Sequence, residues 1–125
     1  MRLLLDSHVV LWWMGSPERL TPDALAAIAD AGNDVFVSAV SVWELNLKVA
    51  KGKLDLPKTF IQALRETGFR DLDIAWEHAW AVASLPAVHA DPFDRLLVAQ
   101  ALSEGLTLVT HDRDLARYNL PVLAA

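Results

Sequence analysis

The chain has 125 residues, 54% of them hydrophobic, with a net charge of −5 and no cysteine. One domain of this size buries about two-thirds of the surface that its unfolded chain exposes, and the lack of thiols excludes disulfides, zinc–thiolate sites and cysteine nucleophiles. No apolar run reaches the roughly 20 residues that cross a bilayer, and the N-terminus meets Asp6 too early for a signal peptide, so a cytoplasmic protein is expected.

Taken in order, Arg2 to Leu5 reads as a short buried strand and Ser7 to Met14 as a helix broken by Gly15-Ser16-Pro17. Thr21-Pro22-Asp23 starts a second helix, with Thr as N-cap, Pro at the first helical position and Asp against the dipole; it is expected to run to about Gly32. Val35 to Ser38 follows as a strand and Ala39 to Lys51 as a helix stopped by Gly52. Leu56-Pro57 restarts a helix ending near Gly68, Leu72 and Ile74 mark a third strand, and Trp76 to Leu85 is helical until Pro86. Asp91-Pro92 opens a helix closed by Gly105, Leu106 to Thr110 is a strand, and Val122-Leu123 forms the last one. Alternating strands and helices predict one α/β domain over 1–125, with a mainly parallel sheet covered on both faces. Ligands of such sheets bind beyond the carboxyl ends of the strands.

Asp6 and Asp112 fall at such ends, Glu44 lies one helical turn beyond the second strand, and Asp94 stands in the first turn of the helix opened by Asp91-Pro92. Each also has a plainer role. Asp6 suits an N-cap, which does not prevent it from binding a ligand as well. Glu44, on spacing alone, reads best as a solvated i,i+4 partner of Lys48. Asp112 and Asp114 suit a turn, and Asp91 is assigned to capping. Asp94 is different: it shares a stripe with Val98 and Ala101 on a helix that is apolar almost all round, and no cation stands at i+4. The four histidines read as structural or rim groups, with His89 in a loop within reach of a substrate. The five tryptophans read as core or interface, with one of Trp12 and Trp13 free to meet a partner chain.

The acidic balance argues against a general nucleic-acid binder, yet charge can be distributed locally. Lys48, Lys51, Lys53 and Lys58 cluster, and Arg95, Arg113 and Arg117 lie near the later acids. Carboxylates that converge repel one another, and a hard divalent cation relieves that repulsion while taking oxygen ligands and water.

The segments Leu-Leu-Leu-Asp6-Ser, Val-Ser-Val-Trp-Glu44-Leu, His-Ala-Asp-Pro-Phe-Asp94-Arg-Leu-Leu and Leu-Val-Thr110-His-Asp112-Arg-Asp together resemble a PIN domain, and more narrowly the VapC-type toxins of bacterial toxin–antitoxin pairs. The resemblance spans Leu3 to about Tyr118. It implies a Rossmann-like α/β/α sandwich and an endoribonuclease dependent on Mg²⁺ or Mn²⁺, acting on RNA as a homodimer neutralised by an antitoxin. It also makes Asp6, Glu44, Asp94 and Asp112 the metal-binding quartet, with Thr110 beside it and Asp114 as an auxiliary acid. Asp6, Asp94 and Asp112 are expected to ligate directly, and Glu44 to ligate or to position water. Lys48, Lys51 and Arg95 are expected at flanking phosphates. Two other readings stay open: a phosphatase using Asp6, disfavoured because no acid follows two residues on, and a non-catalytic module binding protein partners.

Overall fold

Leu3, Leu4 and Leu5 leave no face for water, and in the computed structural model, which describes residues 1–125, all three are fully buried in the central strand. That strand, β1 (Arg2–Leu5), is followed by α1 (Ser7–Gly15), α2 (Pro22–Ala29), β2 (Asp34–Ser38), α3 (Ala39–Ala50), α4 (Phe60–Glu66) and β3 (Arg70–Leu72). The second half holds α5 (Trp76–Ala81), α6 (Pro92–Glu104), β4 (Thr107–Thr110) and β5 (Val122–Ala124). The strands form one five-stranded sheet in the order β3-β2-β1-β4-β5, and every pairing is parallel.

Side chains alternate across the sheet, so β1 feeds two cores. Leu3 and Leu5 pack with Val9, Val10, Ala24, Ile28, Phe60 and Leu64 from α1, α2 and α4. Leu4 packs on the other face with Val40, Leu97, Val98, Leu108 and Tyr118, chiefly beneath α6. The expected three-layer sandwich is therefore present. No helix is long and apolar enough to cross a membrane.

Local chemistry moved several boundaries. The second helix stops at Ala29 rather than near Gly32, because the Asp30 carboxylate accepts the Gly32 N–H and holds a turn. The fourth begins at Phe60 rather than Leu56, after a turn in which Pro57 O accepts the Phe60 N–H. β3 pairs through Arg70 to Leu72 and excludes Ile74, which is exposed. The Trp76–Leu85 helix is α-helical only to Ala81, and a 3₁₀ turn follows at Val82–Ser84. Of the two places expected for the tryptophans, core or interface, the core holds Trp12 and Trp13, which pack half-buried against it. Trp76 and Trp80 are 91% and 88% exposed, and Trp43 is 54% exposed.

The order of strands reverses direction at β1, because β2 lies to one side and β4 to the other. A crevice opens at such a switch point, beyond the carboxyl ends of the two central strands. Asp6 directly follows β1, and Asp112 follows β4 by two residues.

Candidate metal centre

Asp6 is the most constrained acid of the site. It is 7% exposed and caps α1, where Oδ1 accepts the Val9 N–H at 2.9 Å. Oδ2 accepts the Thr110 hydroxyl proton. The Thr110 oxygen in turn accepts the Asp112 N–H at 3.0 Å, so one buried hydroxyl ties the end of β1 to the end of β4. The N-cap role and a role at the site coincide in Asp6. Burial pushes its carboxyl above the ordinary value against the hydrogen bonds from Thr110 and Val9.

Asp94 and Asp112 form a looser second group around His89. The Asp91 N–H donates to His89 Nδ1 at 3.1 Å, which leaves the ring proton on Nε2. Nε2 then lies 3.0 Å from Asp112 Oδ2 and 3.5 Å from Asp94 Oδ2. His89 thus offers Asp112 a donor, not a lone pair, and Asp94 lies beside the same nitrogen without a hydrogen bond to it. Its loop is held by Arg95, whose guanidinium donates to Pro86 O at 2.9 Å and Val82 O at 3.0 Å, and by Tyr118, whose hydroxyl accepts the His89 N–H. Asp91 caps α6 as expected, accepting the N–H groups of Phe93 and Asp94. The Asp94 side chain keeps 22% of its exposure, and burial raises its carboxyl to about 7. The negative charges of Asp91, Glu44 and Asp6 add to this rise, and His89 opposes it.

Glu44 does not pair with Lys48. Its Oε1 instead accepts the Ser7 hydroxyl at 2.6 Å, across from α1, and the spacing-based pairing is corrected accordingly. Two contacts set the distance between α3 and α6, the helices that carry Glu44 and Asp94. Trp43 and Phe93, each the residue before one of those acids, meet edge to face at 5.0 Å. Ser38, which caps α3, donates to Oε1 of the fully buried Gln100 on α6.

The result is a cavity of about 500 Å³ with no apolar residue in its lining. Asp6, Glu44, Asp94 and Asp112 all line it, from four separate segments of the chain. Lys48 lines it too, whereas Lys51 and Arg95 do not. Lys51 is exposed at the end of α3, and Arg95 is committed to backbone carbonyls. Asp114 is exposed and outside the lining; its N–H donates to Asp112 Oδ1. Ser7, His8, His111 and Arg113 line the cavity and were missed as site residues. Ser7, His111 and Arg113 each adjoin a recognised acid, which was the available signal; His8 follows two residues after Asp6.

The donors suit a hard divalent cation. Ligand atoms from Asp94, Asp112 and His89 lie within 4.8 Å of one another, and with the imidazole acting as a donor the lone pairs are carboxylate oxygens. Burial is the main cause of the raised carboxyls of Asp6 and Asp94, and a bound cation would offset that cost.

Known proteins resemble this chain in sequence and in fold. The ribonuclease VapC22 of Mycobacterium tuberculosis is 34% identical over 122 residues, covering 95% of this chain and 93% of its own. The fold matches VapBC2 from Rickettsia felis, solved bound to a DNA fragment from their promoter, with a TM-score of 0.71 at 18% identity over 99% of this chain and 98% of that one. It also matches FitAcB from Neisseria gonorrhoeae, with a TM-score of 0.63 at 26% identity over 97% and 96% of the two chains. The PIN domain model matches residues 3–120, from the first buried leucine of β1 to Leu120, and with that match the chain belongs to the PIN domain family.

Proposed function

We propose that this protein is a divalent-metal-dependent endoribonuclease that hydrolyses RNA phosphodiesters, and that it is the toxin of a bacterial toxin–antitoxin pair. The observation that carries the enzymatic reading is the convergence of Asp6, Glu44, Asp94 and Asp112 on one cavity lined only by polar and charged residues, at the switch point of the sheet. A module that used its acids only as caps and solvated pairs would not gather them there, because mutual repulsion and desolvation both oppose it. The similarity to a ribonuclease over most of the chain supports RNA as the substrate. Similarity in fold to VapBC2 and to VapBC-5 from Mycobacterium tuberculosis, a member of the VapBC family of toxin–antitoxin systems, supports an antitoxin protein as partner. A homodimer and a cytoplasmic location belong to the same reading.

Asp6, Asp94 and Asp112 would hold Mg²⁺ or Mn²⁺, and Glu44, fixed by Ser7, would ligate or position water. When bound there, such an ion would supply an activated water and would stabilise charge growing on the phosphodiester. Thr110 keeps the Asp6 carboxylate in place, and His89 does the same for Asp112. Lys48 and Arg113, on the cavity wall, offer positive charge to the phosphates on either side of the cleaved bond.

The test is cleavage of an RNA mixture after chelation and then with Mg²⁺ or Mn²⁺ restored, for the wild-type protein and Asp94→Asn. Cleavage that depends on the ion and on Asp94 is expected. Equal cleavage by both proteins, or cleavage in the presence of chelator, would remove the centre from the mechanism.

A further inference from the structure

His8 and His111 are exposed, both line the acidic cavity, and both rest on the same indole. The His111 ring meets Trp12 edge to face at 5.2 Å, and the His8 ring lies tilted against it at 6.1 Å. Trp12 is itself half-buried, packed on the core beneath α1, and its ring is covered by the Arg19 guanidinium at 5.0 Å. The two imidazoles come from opposite sides of the switch point: His8 lies on α1 after β1, and His111 lies just after β4. Neither makes a hydrogen bond that would explain its position, in contrast to His78 and His89, whose ring nitrogens are all engaged. The cavity thus has an aromatic wall, two free-edged rings backed by a third, directly beside Asp6 and Asp112.

Such a wall fits one chemistry well. A flat ring system stacks on exposed aromatic faces whatever its identity, and free imidazole edges add hydrogen bonds to a base or ribose. Bases in a duplex are already stacked and cannot use it. We propose that His8 and His111, held by Trp12, form a stacking subsite for the base of the nucleotide adjoining the phosphodiester at the acidic centre. The subsite rests on the ribonuclease reading. It assigns His8 and His111 to positioning the substrate, and Trp12 and Arg19 to supporting them.

The experiment compares the wild-type protein with His8→Ala, His111→Ala, the double variant, and the double variant His8→Phe/His111→Phe. Two substrates are used with Mn²⁺: a single-stranded RNA oligonucleotide, and bis(p-nitrophenyl) phosphate, which carries a phosphodiester but no base or ribose. Both histidines are exposed, and melting temperatures within a degree or two of wild type are expected for the single variants. The double alanine variant should raise KM for the oligonucleotide about tenfold or more, in the range expected for losing a base stack. Its kcat on the oligonucleotide and its hydrolysis of the small diester should change far less. The phenylalanine pair should recover most of the lost KM, because the ring faces return without the nitrogens. An unchanged oligonucleotide KM in the double alanine variant overturns the subsite alone. So does an equal loss on both substrates, which would place the histidines at the reacting centre. Wild-type protein that hydrolyses neither substrate with any divalent ion removes the ribonuclease reading, and the subsite with it.

Discussion

The two halves of the acidic centre are built differently. Asp6 is nearly sealed, and each of its oxygens has a fixed donor, Val9 N–H for one and the Thr110 hydroxyl for the other. Asp94 and Asp112 remain partly open; the imidazole Nε2 of His89 hydrogen-bonds Asp112 and passes 3.5 Å from Asp94. One half is a rigid anchor made by the ends of β1 and β4; the other is an adjustable pair reached from the His89 loop. Preorganised groups bind an ion without rearranging, whereas partly solvated ones can follow a changing coordination shell. The chain supplies both kinds from neighbouring positions.

This contrast can be broken experimentally, and the largest effect is expected on activity. Asp94→Asn should lower RNA cleavage by at least about a hundredfold, because it removes a carboxylate whose charge is balanced only by the ion. The same variant should melt at or above the wild-type temperature without metal, since a partly buried, unpaired charge has gone. A drop of several degrees would contradict the account of Asp94 as functionally placed. The next effect concerns His89. His89→Ala removes the donor that holds Asp112 and the imidazole beside Asp94, and a loss of about 10–100-fold in metal affinity or activity is expected, as for residues that orient ligands. Unchanged Mn²⁺ affinity would show that the loop does not organise the pair.

The anchor responds in stability instead. Thr110→Val keeps the shape but leaves Asp6 Oδ2 and the Asp112 N–H without their partner, at a cost of about 1–3 kcal/mol. Denaturant unfolding of the metal-free protein reads this directly, and an unaltered midpoint would mean that water replaces the hydroxyl. The smallest and most diffuse effect is on pH. The Asp94 carboxyl rises from 3.8 to about 7 on folding, so the folded state binds its proton more tightly than the unfolded chain does. Its contribution to stability is complete below about pH 4 and is lost as pH rises towards 7. Asp6 shifts in the same direction. Metal affinity should move oppositely and strengthen up to about pH 7, because the ion competes with that proton. Equal Mn²⁺ affinity at pH 6 and pH 8 would contradict the raised carboxyl.

The same contrast explains how much of the site could be read from the sequence. Local rules placed Asp6 and Asp91 as caps, Gly105 as the stop of α6, and every strand to within a residue or two, because caps and apolar runs act over a few neighbours. The apolar stripe around Asp94 marked it as a misplaced charge, and Val98 and Ala101 are indeed buried. Glu44 was harder, because its true partner, Ser7, lies 37 residues away and the nearest cation lies only four away. Arg95 looked like a free cation for the same reason, since the carbonyls that hold it belong to a loop with no side-chain signature. His89 was legible as a loop residue near Asp91, but its place between two acids depends on Tyr118 and Arg95 arriving from elsewhere. The choice between core and interface for the tryptophans was not legible, because hydrophobic period gives the apolar face of a helix without saying whether another part of the chain covers it; Trp43, Trp76 and Trp80 are exposed.

The central claim is that the acids of both halves act together as one divalent-cation centre. Calorimetric titration of Mn²⁺ into the metal-free protein at pH 8, for wild type, Asp6→Asn and Asp94→Asn, tests it most directly. Binding by the wild type that weakens at least about tenfold in each variant is the predicted result. Undiminished affinity in either variant, or no binding by the wild type, would contradict it.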